Sequence, residues 1–316
     1  MLIRSLSRRK LLLSMMGSMC GVLAAGSLKQ AWAEGEGREG VRRMMTDARG
    51  RQITVEAAHK IVCIGGTITE TLYELGAEGR IVAVDSTSTR PEAALREKKS
   101  LGYMRMISAE SVLSLEPDLI IAMNDAGPPA AMSQLIASRV PIVFVDATPS
   151  IEAIIGRTRF LGQLIGAEKA GEILSSRISE RFNALAQWRT EHAVARRILF
   201  VMRMTNGHPM VAGQGTAADA VIHLAGAINA GSSLQGYKIV GDEALITLQP
   251  DIVLIMAQGA ESIESELRKD PSFLLTPAGR QNAIISMEGE RLLGFGPHTP
   301  DAALDLAQKI TVALPL

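Results

Sequence analysis

A fourteen-residue segment occurs twice in this chain. Glu110-Ser-Val-Leu-Ser-Leu-Glu-Pro117-Asp-Leu-Ile-Ile-Ala-Met123 returns 133 residues later as Glu243-Ala-Leu-Ile-Thr-Leu-Gln-Pro250-Asp-Ile-Val-Leu-Ile-Met256, with Glu, Leu, Pro, Asp and Met coinciding. Each copy reads as a short helix stopped by a proline, followed by an unbroken apolar run of the kind found in strands buried on both faces. Proline ahead of a buried strand is common enough to arise twice by convergence. Fourteen aligned positions point instead to duplication of one α/β unit, and therefore to two lobes of the same kind.

The rest of the chain agrees with two such lobes. Residues 60–64, 81–84, 118–122 and 141–145 are short apolar runs that predict buried strands, each beside a helical pattern. Gly65-Gly66 closes the first run, and Thr67 with Glu70 three residues on predicts a capping box at the next helix. From Ile151 to about Trp188 the pattern is helical throughout. Ile154, Thr158, Leu161 and Ile165 share one face; past Gly166, Ile173, Ile178, Phe182 and Leu185 share another. Strand signals resume at 197–201, 251–255 and 283–285. Alternating strands and helices predict parallel sheets covered on both faces. The expected architecture is α/β, with an N-terminal lobe over residues 34–150, a helical spine over 151–190 and a C-terminal lobe over 191–316.

Residues 1–33 predict export. Arg4, Arg8, Arg9 and Lys10 precede an uncharged stretch from Leu11 to Leu28, and Ala31-Trp32-Ala33 supplies a small-x-small cleavage site ahead of Glu34. Ser7-Arg8-Arg9-Lys10-Leu11-Leu12 also matches a twin-arginine signal. A retained anchor is the alternative reading, but glycines and serines dilute the apolar stretch. The precursor carries 33 cations and 33 anions; cleavage removes five cations and no anions, leaving 28 against 33, or −5. That balance argues against nucleic acid as a partner. Only Cys63 remains after cleavage, which excludes an internal disulfide and a thiolate metal cluster.

Gly213-Gln-Gly215-Thr-Ala-Ala218 matches a dinucleotide-binding glycine pattern, but no acidic residue stands between Asn229 and Gly241 to hold a ribose. The five histidines are scattered without metal-ligand spacing. His192 falls in a charged linker, and His223 in a helix where packing is its expected role. No nucleophile elbow, zinc motif or phosphate loop is present in the sequence.

Several ordered blocks resemble the periplasmic haem-binding proteins of ABC importers. They are Ile64-Gly-Gly-Thr-Ile-Thr-Glu70, Asp85-Ser-Thr-Ser-Thr89, Gly102-Tyr-Met-Arg105, Ser108-Ala-Glu110, Ala212-Gly-Gln-Gly-Thr-Ala-Ala-Asp219 and Leu293-Gly-Phe-Gly-Pro297. The resemblance implies two Rossmann-like lobes joined by a single long helix, a ligand cleft between them, and a monomer without enzymatic activity. It implies no cofactor of the protein's own, since haem is the transported ligand. Partners would be haem or a related chelate, the permease–ATPase complex of the inner membrane and an outer-membrane haem receptor system. A siderophore or corrinoid binder is the alternative, followed by a periplasmic enzyme acting on tetrapyrroles.

The resemblance also implies a tyrosine ahead of Pro91 as the iron ligand, where this chain has Arg90. A guanidinium has no lone pair to offer a metal. Another residue then ligates, or haem is held without iron coordination, or the ligand is not haem. Arg90, Arg105, Arg203 and Lys238 are candidate partners for propionates. Met104, Met123 and Met204 are candidate apolar walls. Candidate axial ligands are His298 first, then His208, with Tyr103 and Tyr237 behind them, since a phenol with a pKa near 10 needs nearby cations to ionise. Glu110 and Glu243, at equivalent helix starts, are the implied docking points for the permease.

Overall fold

The computed structural model of the protein describes residues 42–192 and 195–313. The export signal and Glu34 lie outside these residues. In the first lobe β3 (Ile61–Ile64), β4 (Ile81–Val84), β5 (Lys99–Ser100), β6 (Leu119–Met123) and β7 (Ile142–Val145) form a parallel sheet in the order β5-β4-β3-β6-β7. Every residue of β3, β6 and β7 is buried, which is why these strands read as apolar runs without alternation. Helices α1 (Gly66–Glu74), α2 (Ala93–Glu97), α3 (Ala109–Leu113) and α4 (Pro129–Ala137) make the crossovers. The chain travels outward from β3 to β5, then returns to β6 and β7, so its direction reverses between β3 and β6. Ligand crevices form where loops leave the carboxyl ends of strands at such a reversal. Here those loops begin at Gly65 and Asn124.

A hairpin of β1 (Arg43–Thr46) and β2 (Gln52–Val55) precedes this lobe. Nothing in the sequence predicted it, because its four-residue strands are short and half exposed. Asp47 at the turn is buried, and its carboxylate accepts from Arg51, which also donates to the Ile142 carbonyl at 2.7 Å and so ties the hairpin to β7.

The helical spine is two helices, α5 (Ile151–Ile165) and α6 (Glu168–His192). Ser150 caps α5 by accepting from the Ala153 amide, and Gly166 ends it at φ 79, a conformation glycine adopts without strain. α5 packs on α1, while α6 packs on α5 and reaches the last helix of the second lobe. Gly162 and Gly171 let α5 and α6 touch: a Cβ on Gly162 would stand 2.9 Å from the Gly171 Cα and 3.1 Å from the Ala167 carbonyl oxygen. Gly162→Ala should therefore cost about 1–3 kcal/mol, as overpacking does, and lower the urea midpoint. An unchanged midpoint would mean that the two helices separate without penalty.

The second lobe contains β8 (Arg197–Thr205), β9 (His208–Ala212), α7 (Ala217–Leu224), β10 (Ile228–Asn229), β11 (Tyr237–Ile239), α8 (Asp242–Leu248) and β12 (Ile252–Met256). It continues with α9 (Ala260–Leu267), α10 (Pro271–Leu274), α11 (Pro277–Gln281), β13 (Ile284–Met287), α12 (Gly289–Leu293) and α13 (Thr299–Ala313). Its strand order is β11-β9-β8-β12-β13, with β10 beside the start of β8. The expectation of purely parallel sheets fails here, since β9 runs antiparallel to both β8 and β11. Asn206 and Gly207 both take positive φ (51 and 80), which suits a two-residue hairpin turn and folds the chain straight back. His223, expected to pack inside its helix, is exposed and leans on the Asp219 carbonyl at 2.8 Å; Ala218, Val221 and Ile222 face inward instead.

The duplicated segments do the same work in both lobes. α3 precedes β6, which lies beside β3; α8 precedes β12, which lies beside β8. Glu116 and Gln249, each directly ahead of its proline, take φ 48 and 43. Asp118 accepts from the Lys60 amide and Asp251 from the Arg197 amide, while the Asp118 and Asp251 amides donate to the Lys60 and Arg197 carbonyls. Matching strain and matching hydrogen bonds at four positions support duplication over convergence.

Candidate functional site

The loops at the carboxyl ends of the strands bring two groups of side chains to the space between the lobes. On the first lobe, Gly102 turns the chain at φ 78 and presents Tyr103, which is 43% exposed. Arg105 Nη1 donates to the Tyr103 hydroxyl oxygen at 2.6 Å, and its guanidinium lies 5.8 Å from the Tyr103 ring centroid. Asp125, in the loop after β6, forms an ion pair with Arg105 from the other side. Met106 stands beside them, largely exposed.

Tyr237 answers from the second lobe. Burial pushes its phenol up, while the positive charge of Arg105 reaches it across the cleft; Thr216 and the Ala218 amide contact its oxygen. On the neighbouring strands Arg203, Met210 and Ile239 share one cross-strand row. Arg203 and Lys238 are exposed, and neither forms an ion pair among the described residues. Of the predicted methionines, Met104 and Met123 are buried in the first lobe's core, and Met204 is half-buried on β8.

The glycine-rich block behind Tyr237 is a closed loop. Thr216 caps α7 by accepting from the Asp219 amide, and the Asp219 carboxylate accepts from the Gly215 amide and from Asn229. A Cβ on Gly213 would stand 2.4 Å from the Leu234 carbonyl oxygen. Small residues are needed there to let backbone pack on backbone.

Two predicted site residues sit elsewhere, where the lobes touch. His298 hydrogen-bonds through Nδ1 to Glu70, and its Nε2 lies 3.8 Å from Glu74. Arg90 lies 3.8 Å from Glu70 and 3.6 Å from Glu288. The predicted capping box at Thr67 and Glu70 is therefore absent. Gly65 at φ 134 takes the N-cap position two residues earlier, and Glu70 turns to the opposite lobe. His208 stands at the β8–β9 hairpin, 3.5 Å from Asp242. Glu110 and Glu243 are exposed in the first turns of α3 and α8.

Three important residues escaped the sequence reading. Asp125 has no local signal. Glu290 hydrogen-bonds to Thr89, 201 positions away in sequence. Arg157 had one: with Ile154, Thr158 and Leu161 it occupies the buried stripe of α5. Its guanidinium donates to the carbonyls of Asp146 in the first lobe and Phe295 in the second, and burial lowers its pKa to about 10.

Residues 61–290 match the family model described as periplasmic binding protein. Among solved structures, the periplasmic heme-binding protein BhuT in complex with two hemes is 36% identical, with a TM-score of 0.76 over 80% of this chain and 98% of that one. The periplasmic heme-binding protein RhuT from Roseiflexus sp. RS-1, in apo form, is 35% identical, with a TM-score of 0.77 over 81% and 99% of the two chains. An uncharacterized ABC transporter substrate-binding lipoprotein, YvrC of Bacillus subtilis, is 24% identical over 84% of each chain.

Proposed function

The chain belongs to the periplasmic binding protein family, and we propose that it captures haem for an ABC importer, with Tyr103 as the axial ligand of the iron. The observation that carries this reading is the Arg105–Tyr103 contact of 2.6 Å at an exposed edge of the cleft. Ferric haem accepts a phenolate ligand. Arg105 donates to that phenol oxygen and holds it at the cleft edge. Asp125 fixes the far side of the guanidinium, so the fork points at the phenol.

This reading reverses the ranking drawn from sequence. His298 already has a carboxylate at each ring nitrogen, and binding iron would cost its hydrogen bond to Glu70. His208 belongs to the hairpin beside Asp242 rather than to the Tyr103 group. Tyr237 remains a second oxygen across the cleft, more deeply set. Arg203 and Lys238, without ion-pair partners among the described residues, suit the two propionates. Arg90 is already engaged with carboxylates and is not assigned to a propionate. Met106 and Ile239 offer exposed apolar surface for the porphyrin faces.

The signal at the start of the sequence would send the chain to the periplasm, where it binds and releases its ligand unchanged. Its other partners would be an outer-membrane receptor system upstream and the inner-membrane permease downstream. Titrating the mature protein with ferric haem should give a saturable change in the Soret band. A flat haem titration together with saturable binding of a corrinoid or a ferric siderophore would replace haem with that chelate.

A further inference from the structure

Away from the Tyr103 group, each lobe presses a glutamate against a glycine of the other. A Cβ on Gly66 would stand 2.2 Å from Glu290 Oε1, and a Cβ on Gly296 would stand 2.0 Å from Glu70 Oε2. A side chain at either glycine would displace the glutamate that reaches across from the other lobe. Thr89 joins the same contact: its Oγ1 lies 2.8 Å from Glu288 Oε1 and 2.5 Å from Glu290 Oε2. A hydroxyl has one proton to donate. Two ionised carboxylates cannot both receive it, so one of them must be protonated and donate to Thr89.

Glu290 is the better seat for that proton. Its Oε1 is buried and has no hydrogen-bond partner. A neutral acid whose Oε2 donates to Thr89 leaves only a carbonyl-type oxygen there, which is less costly to bury than a charged one. His298 lies between Glu70 and Glu74, where a second proton would meet a carboxylate on either side. We propose that Glu70, Thr89 and Arg90 of the first lobe and Glu288, Glu290 and His298 of the second form a proton-dependent latch, which locks the lobes in mild acid and loosens them as the pH rises.

The surrounding charges do not cancel this effect. Glu74 is met from α6 by Arg177 at 3.9 Å. Arg157, on α5, donates to backbone carbonyls instead of to a carboxylate. Arg90 faces Glu70 and Glu288 from within the contact, and the charge of Arg157 also reaches Glu70. Burial, with Glu70 and Glu288 adding to it, raises Glu290 to about 8 from an ordinary 4.5. The hydrogen bond to Glu70 raises His298 above 6.5. Both groups hold protons more tightly with the lobes together than apart. Their support for closure is complete below the ordinary value of each and is lost as the pH climbs through the raised one.

The test places spin labels on cysteines at Ser133 and Ser262, exposed positions on α4 and α9 in opposite lobes. Cys63 is fully buried and will not take a label. The inter-label distance distribution should be narrow near pH 5.5 and move to longer, broader values near pH 8.5. Glu290→Gln, which cannot ionise, should keep less than half of that shift, and Thr89→Val should also reduce it. No ligand is added, so the outcome is independent of the haem reading. A wild-type distribution identical at both pH values would overturn the latch. So would a Glu290→Gln or a Thr89→Val protein that shifts as far as wild type; if Glu290→Gln does not fold, the wild-type and Thr89→Val profiles decide.

Discussion

Tyr103→Phe should abolish the phenolate-to-iron absorbance of the ferric haem complex and weaken ferric haem binding more than any other single change in the cleft. The phenylalanine ring keeps the shape of the loop and removes only the oxygen. Arg105→Leu should follow it at one remove, because the guanidinium holds that oxygen at 2.6 Å without touching iron itself. Loss of such an outer partner typically costs about 10–100-fold in metal affinity. Arg105→Lys should recover only part of the loss, since an ammonium restores the charge but not the fork that Asp125 and Tyr103 share. His298→Ala and His208→Ala should leave the spectrum in place. A complex whose spectrum survives Tyr103→Phe and collapses with His298→Ala would restore the histidine.

The comparison of these residues shows what can be read along a chain and what cannot. Strands β3, β6, β7 and β12 were legible because parallel strands buried on both faces are unbroken apolar runs. The β1–β2 hairpin was not, because strands of four half-exposed residues carry too few positions to set a period. The antiparallel turn at β9 was half legible: Asn206-Gly207 is a strong hairpin signal, yet the apolar run before it looked like another parallel strand. Tyr103 and Arg105 were legible as neighbours, two residues apart in one block. The carboxylate partners of His298 were not legible, for the opposite reason. Its loop neighbours are Gly, Phe, Gly and Pro, and the carboxylates that occupy it come from Glu70 and Glu74, more than two hundred positions away. Sequence spacing reports local geometry and is silent on pairs that meet only when two lobes close on each other.

Reversing Glu110 and Glu243 together to lysine should abolish haem uptake in cells while leaving haem affinity and the fold as they were. Both residues are exposed, and both stand in the first turn of the helix ahead of a duplicated Pro–Asp strand start. They are therefore related by the duplication that relates the lobes, and a permease built on a two-fold axis would meet them as a pair. Each also helps its own helix, because an acid near a helix N-terminus is worth about 0.3–1 kcal/mol. Charge reversal should accordingly lower stability by an amount of that order per helix, visible as a small drop in melting temperature. Surface changes of this kind rarely unfold a protein. Uptake should fall much further than stability does, since a reversed charge at a complementary interface repels the partner and slows its approach. Either single reversal should leave partial transport, with one lobe still able to engage. If the double reversal imports haem at the wild-type rate, the two glutamates are helix-stabilising residues and the permease is met by another surface.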